Sequence, residues 1–144
     1  MKIKTTAILS VLALLLVQTF SFAVPADRLS RKERIVKAAK QSVSQASPDD
    51  WYTLAKSAKI CLEVNKNLSE ASQWIDKSLA IHTNPYNLEI KGDYYAKNRL
   101  PKKAVDCYIK ALKNGHERIP DFDPSRVQKK IAKLINLKIA EKKK

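Results

Sequence analysis

The sequence predicts an all-α fold: a short α-solenoid of two helix-turn-helix repeats, with one helix before them and a capping helix after them. Three observations lead there. Apolar residues recur at helical spacing along the chain beyond Ser30, and no segment there alternates like a strand for long enough to compete. Start and stop signals divide the same region into pieces of helix length. Between Leu88 and Leu112, the small residues Gly92, Ala104 and Ala111 and the tyrosines Tyr95 and Tyr108 fall where two short helices folded back on each other must approach closely.

The elements follow in order. Val24 to Leu29 reads as an extended lead-in. Ser30 with Glu33 three residues later makes a capping box for a helix reaching about Ala46, with Ile35, Ala39 and Val43 on its apolar side. Ser47-Pro48-Asp49-Asp50 opens a second helix, 48–64, with a capping serine, a proline whose missing N–H costs nothing, and two carboxylates at the positive end of the macrodipole. Asn65-Lys66-Asn67 breaks it, and Asn67 with Glu70 caps a third helix reaching about Ile81. Asn84-Pro85 starts a fourth, ending near Asn98.

The fifth helix begins at Pro101 with Leu100, a poor capping residue, before it. It is expected to stop at Asn114-Gly115, the glycine taking the left-handed conformation that closes a helix. Pro120 to Phe122 is a linker, and Asp123-Pro124 opens a last helix. There Val127, Ile131, Leu134 and Ile135 share one face, opposite Arg126, Lys129, Lys130 and Lys133. That apolar face is expected to pack on the end of the second repeat, and the first helix to cover the other end.

The two repeats resemble the tetratricopeptide repeat, whose skeleton is an aromatic, then leucine and glycine, then tyrosine in the first helix, with alanine and an aromatic in the second. The later copy supplies Leu88, Lys91, Gly92, Tyr95, Ala104, Tyr108 and Ala111, and the earlier one Trp51, Leu54, Ala55, Ala58, Ala71, Ile75 and Ser78. Leu88, Lys91 and His116 depart from the pattern, standing for the aromatic, the leucine and a terminal proline. Ala71 and Ala104 are close to one family period apart, while Trp51 to Ala71 is four residues longer than Leu88 to Ala104, about one extra helical turn. Sel1-like repeats are a related resemblance. The resulting organisation is 1–23 leader, 24–47 lead-in and first helix, 48–115 repeats, 116–144 linker and basic capping helix.

The resemblance implies a protein-protein interaction module that binds a peptide or partner protein in a concave groove lined by the first helix of each repeat. Carried onto this chain, the groove residues are Tyr52, Lys56 and Lys59 from the first repeat and Glu89, Asp93 and Lys97 from the second. Such a groove is bipolar, and its acidic half suits a basic peptide. Trp51 and Trp74, at helical spacing, read as packing residues rather than ligand platforms.

Lys2 and Lys4 precede an apolar run from Ala7 to Val17, and Ser21-Phe22-Ala23 places small residues before a cleavage point. This is the pattern of a secretory signal peptide removed after Ala23, leaving no transmembrane segment and a periplasmic or secreted protein. The formal charge of +14 loses only Lys2 and Lys4 with the leader. In a cytosolic protein that balance points to nucleic acid; after export it points to lipid headgroups, lipopolysaccharide phosphates or wall polymers, a second possible partner class for the lysine-rich helix faces. Cys61 and Cys107 each sit in an apolar stripe on helices that are not natural neighbours, which favours two buried thiols over a disulfide. His82 and His116 stand singly, no nucleophile has a base placed to activate it, and the expectation is a non-catalytic protein with no metal or cofactor.

Overall fold

Ser30 caps the first helix as its sequence dictates: its hydroxyl accepts from the Glu33 amide, and the Glu33 carboxylate accepts from the Ser30 amide at 2.8 Å. The computed structural model describes residues 29–142; the leader and most of the lead-in lie outside the described residues. Six helices occur among them and no strand: α1 (Arg31–Gln45), α2 (Trp51–Val64), α3 (Leu68–Ile81), α4 (Pro85–Lys97), α5 (Pro101–Arg118) and α6 (Ser125–Lys142).

Three local expectations change. Asp50, not Ser47, caps α2 by accepting from the Thr53 amide at 2.8 Å. The Ser47 hydroxyl is bonded to the Asp49 carboxylate, so Ser47-Pro48-Asp49 becomes a turn and the ionised Asp50 is left as the stronger acceptor. Asn67 stands at the start of α3 in the left-handed conformation and makes no cap; its amide donates to Glu70 at 2.7 Å. At the end of α5, Gly115 does not stop the helix. It stays helical and buried because the Phe122 ring lies against it, where a Cβ would overlap the ring, and α5 runs on to Arg118. Leu100 does precede α5, without a side-chain cap, behind a left-handed Arg99.

The repeat register changes too. α2 and α4 begin 34 residues apart, at Trp51 and Pro85, and α3 and α5 begin 33 apart, at Leu68 and Pro101. The counterpart of Leu88 is therefore Leu54 rather than Trp51, and the first repeat holds no extra turn. The mismatch came from pairing Trp51, the first residue of its helix, with a residue one turn into the next.

Short loops fold α2 against α3 and α4 against α5, and α4 packs beside both α2 and α3, giving a short stack of helix pairs. α1 lies on α2, burying Ala39 against Ala55, Ala58 and Cys61, while Lys40 reaches Glu70 on α3 at 2.7 Å. At the other end α6 lies on α5, setting Val127, Ile131 and Leu134 against Leu88, Ala104, Tyr108 and Ala111. Ile135 leaves this expected face and stays exposed. It stands beside Pro101 and Lys102, where α5 begins and offers no further surface.

A buried polar chain ties the two pairs together. Asn87, without solvent exposure, donates to the His82 carbonyl at 2.6 Å and to the Ser78 hydroxyl at 3.1 Å, and Ser78 donates to the Trp51 carbonyl at 2.7 Å. One asparagine thus links α2, α3 and α4.

Candidate binding cleft

The sixth helix is placed by charge as well as by apolar packing. Glu89 and Asp93, one turn apart on α4, meet Arg126 and Lys130, one turn apart on α6, so the two helices run parallel. The Glu89 carboxylate, only 6% exposed, accepts from Arg126 at 2.6 Å and pairs with Lys130 Nζ at 2.7 Å. Lys130 also binds Asp93 at 2.6 Å, and Asp93 accepts from the Tyr108 hydroxyl at 2.7 Å. Burial, then the bond to Asp93, pushes the Tyr108 hydroxyl above the ordinary tyrosine range, so it remains a donor.

This changes the expected groove. Its acidic half, read from sequence as suited to a basic ligand, is occupied by the basic side chains of α6. What stays open is a cleft of about 510 Å³ with α4 as its floor and α2 and α6 as walls. Lys59, Leu62 and Glu63 form the α2 wall; Lys130, Lys133, Leu134 and Leu137 form the α6 wall. Asp93, Ala96 and Lys97 line the floor.

Of the six residues expected in the groove, Lys59, Asp93 and Lys97 line this cleft together. Glu89 is buried beneath α6. Tyr52 and Lys56 lie nearer the start of α2, away from the cleft: Tyr52 is half-exposed and stacks on Tyr86 at 5.6 Å, and the Lys56 ammonium sits 6.0 Å from the Tyr52 ring. Trp51 packs edge-on to Tyr52 and against His82, and Trp74 packs on the first core.

Sequence reasoning missed Tyr86, Leu62 and all the α6 wall residues except as an apolar face or a basic one. Tyr86 had a signal: it stands 34 residues after Tyr52, one repeat on. The α6 residues had one too, since the Arg126/Lys130 spacing copies that of Glu89/Asp93. Lys91, a departure from the repeat pattern, has a structural reason: it is buried, binds Asp76 on α3 at 2.6 Å and lies beside the Tyr94 and Tyr95 rings.

The cleft carries a net positive field. Lys59 pairs with Glu63 at 3.7 Å and Lys130 with Asp93, whereas Lys97 and Lys133 have no ion-pair partner among the described residues. Both cysteines are free; burial raises each thiol above its ordinary range, Cys61 lying in the core and Cys107 half-buried. Among the described residues no group of three or more His, Cys, Asp or Glu could hold a metal, and no helix is long and apolar enough to cross a membrane. The cleft joins apolar side chains to lysines. No family model, curated protein or solved structure matches this chain.

Proposed function

We propose that the chain is a non-catalytic, tetratricopeptide-like module of the bacterial envelope, exported by its leader, that holds a partner polypeptide in the cleft between α2, α4 and α6. The observation that carries this reading is the cleft itself. It joins apolar side chains, Leu137 among them half-exposed, to two lysines without acidic partners among the described residues. Exposed apolar surface gathered in a concavity and edged by charge marks a docking surface.

A photo-crosslinking side chain at Lys97, in the cleft, compared with one at Lys77, exposed on α3, tests it in the intact envelope. The reading predicts a discrete polypeptide adduct from position 97 and none from position 77. Equal labelling from both, or none from 97, contradicts it. Amino-terminal sequencing of the exported chain should begin at Val24; a chain retaining Met1 contradicts cleavage.

A second reading, attachment to anionic envelope material, is favoured by the outer edge of α6, where Ile135 and Ile139 are exposed and Lys129 stands on the same helix. Salt separates the two. Attachment to polyanions weakens steeply as ionic strength rises, while the crosslink at position 97 persists.

A further inference from the structure

We infer that the segment held in the cleft is an acidic amphipathic helix, a conclusion that rests on the cleft being the binding surface. Charge decides the sign. The two acidic groups of α4 are already matched, Glu89 by Arg126 and Lys130, and Asp93 by Lys130 and Tyr108, so a basic segment finds no free carboxylate on the floor. Lys97 on the α4 floor and Lys133 on the α6 wall both line the opening without acidic partners among the described residues. Lys97 lies in the last turn of α4, where the macrodipole is negative and partly offsets its charge; Lys133 has no such offset. An incoming helix with carboxylates beside its apolar stripe satisfies both lysines.

Shape selects a helix. Three helices run side by side around the opening, and a helix about 10 Å across fills roughly 420 Å³ per turn, close to the 510 Å³ of the cleft. One to two turns therefore seat, with apolar anchors three and four residues apart falling on Leu62, Ala96, Leu134 and Leu137.

The test uses three fluorescent peptides of about 15 residues, a length at which a helix is marginal until docked. The first has an apolar stripe flanked by Glu, the second the same stripe flanked by Lys, and the third has the composition of the first with its stripe scrambled. Anisotropy titration with the purified chain should show saturable binding of the Glu-flanked peptide alone, at least about tenfold tighter than the other two. The Lys97→Glu/Lys133→Glu chain should lose about tenfold or more while staying folded, its melting temperature falling only slightly because a carboxylate at position 97 opposes the negative end of the α4 dipole. Leu137→Asn should weaken binding as well.

Tighter binding of the Lys-flanked peptide, still sensitive to Leu137→Asn, overturns the acidic partner and leaves the cleft reading standing. Equal binding of the scrambled peptide, or no effect of the double reversal, overturns the inference by reducing it to general surface charge. Displacement of the Glu-flanked peptide by phosphatidylglycerol vesicles does so too, in favour of a lipid surface. No binding of any peptide overturns both the inference and the cleft reading.

Discussion

Gly92 is small because Tyr108 is large. A Cβ at Gly92 would overlap the Tyr108 ring, and the ring cannot swing aside because its hydroxyl is held by Asp93 and its faces are buried. Gly92→Ala gains about 1 kcal/mol of helix propensity and loses more to overpacking, so the net change is a destabilisation of about 1–2 kcal/mol. Thermal unfolding checks the sign; a raised melting temperature shows that the ring yields. Asn87→Ala should cost about 2–3 kcal/mol, because the Ser78 hydroxyl and the His82 carbonyl both lose a buried partner. Denaturant unfolding against Asn98→Ala, which removes only an exposed bond to the Tyr94 carbonyl, isolates the effect; equal losses refute the pin. The glycine and tyrosine positions were legible in the sequence because close approach demands a small residue at a fixed spacing. Asn87 was not, since one buried amide leaves no periodic trace, and nothing in the chain marks which asparagine turns inward.

At the scale of elements, helix existence was legible throughout and helix ends only in part. Capping residues announce a start, but the sequence pointed to Ser47, and the shift to Asp50 depended on the Ser47 hydroxyl being taken by Asp49. The end of α5 was misread because Gly115 has two possible uses, a left-handed stop or a seat for an aromatic ring, and only the position of Phe122 decides. α6 shows the limit most clearly. Its apolar stripe was legible up to Leu134, whereas Ile135 depends on where α5 begins in space. Ile131→Asp places a charge against Tyr108 and Leu88, and should cost about 2–3 kcal/mol and free α6 from α5. An unchanged melting temperature excludes this packing.

Across the whole molecule 14 acidic side chains stand against 28 lysines and arginines, and four of the described carboxylates, Glu70, Asp76, Glu89 and Asp93, fasten helices to one another. Glu89 and Asp93 fasten α6; Glu70, bound by Lys40, fastens α1. The bond from Lys40, then that from Asn67, lowers the Glu70 carboxyl below its ordinary value of 4.5. A carboxyl lowered in the folded state contributes stability above its unfolded value and loses it as pH falls through the folded one. Both side chains are well exposed, so the contribution is only about 0.5 kcal/mol after solvent screening. Glu70→Gln should therefore lower the melting temperature slightly at pH 7, and the difference from the unaltered chain should shrink as pH falls below 4.5; a difference that stays constant into acid contradicts the pairing.

The same pattern of fastening shapes the cleft. Sequence placed Lys59, Asp93 and Lys97 on one groove but could not tell that α6 would neutralise its acidic side, because that pairing joins residues 37 apart across a turn of the chain. Everything said of the cleft depends on α6 lying antiparallel on α5 and ion-paired to α4. Methyl-to-ring nuclear Overhauser contacts test this most directly. The account predicts cross-peaks from Val127, Ile131 and Leu134 to the Tyr108 ring and the Leu88 methyls; their absence, with α6 methyls showing exchange-averaged shifts, would contradict it.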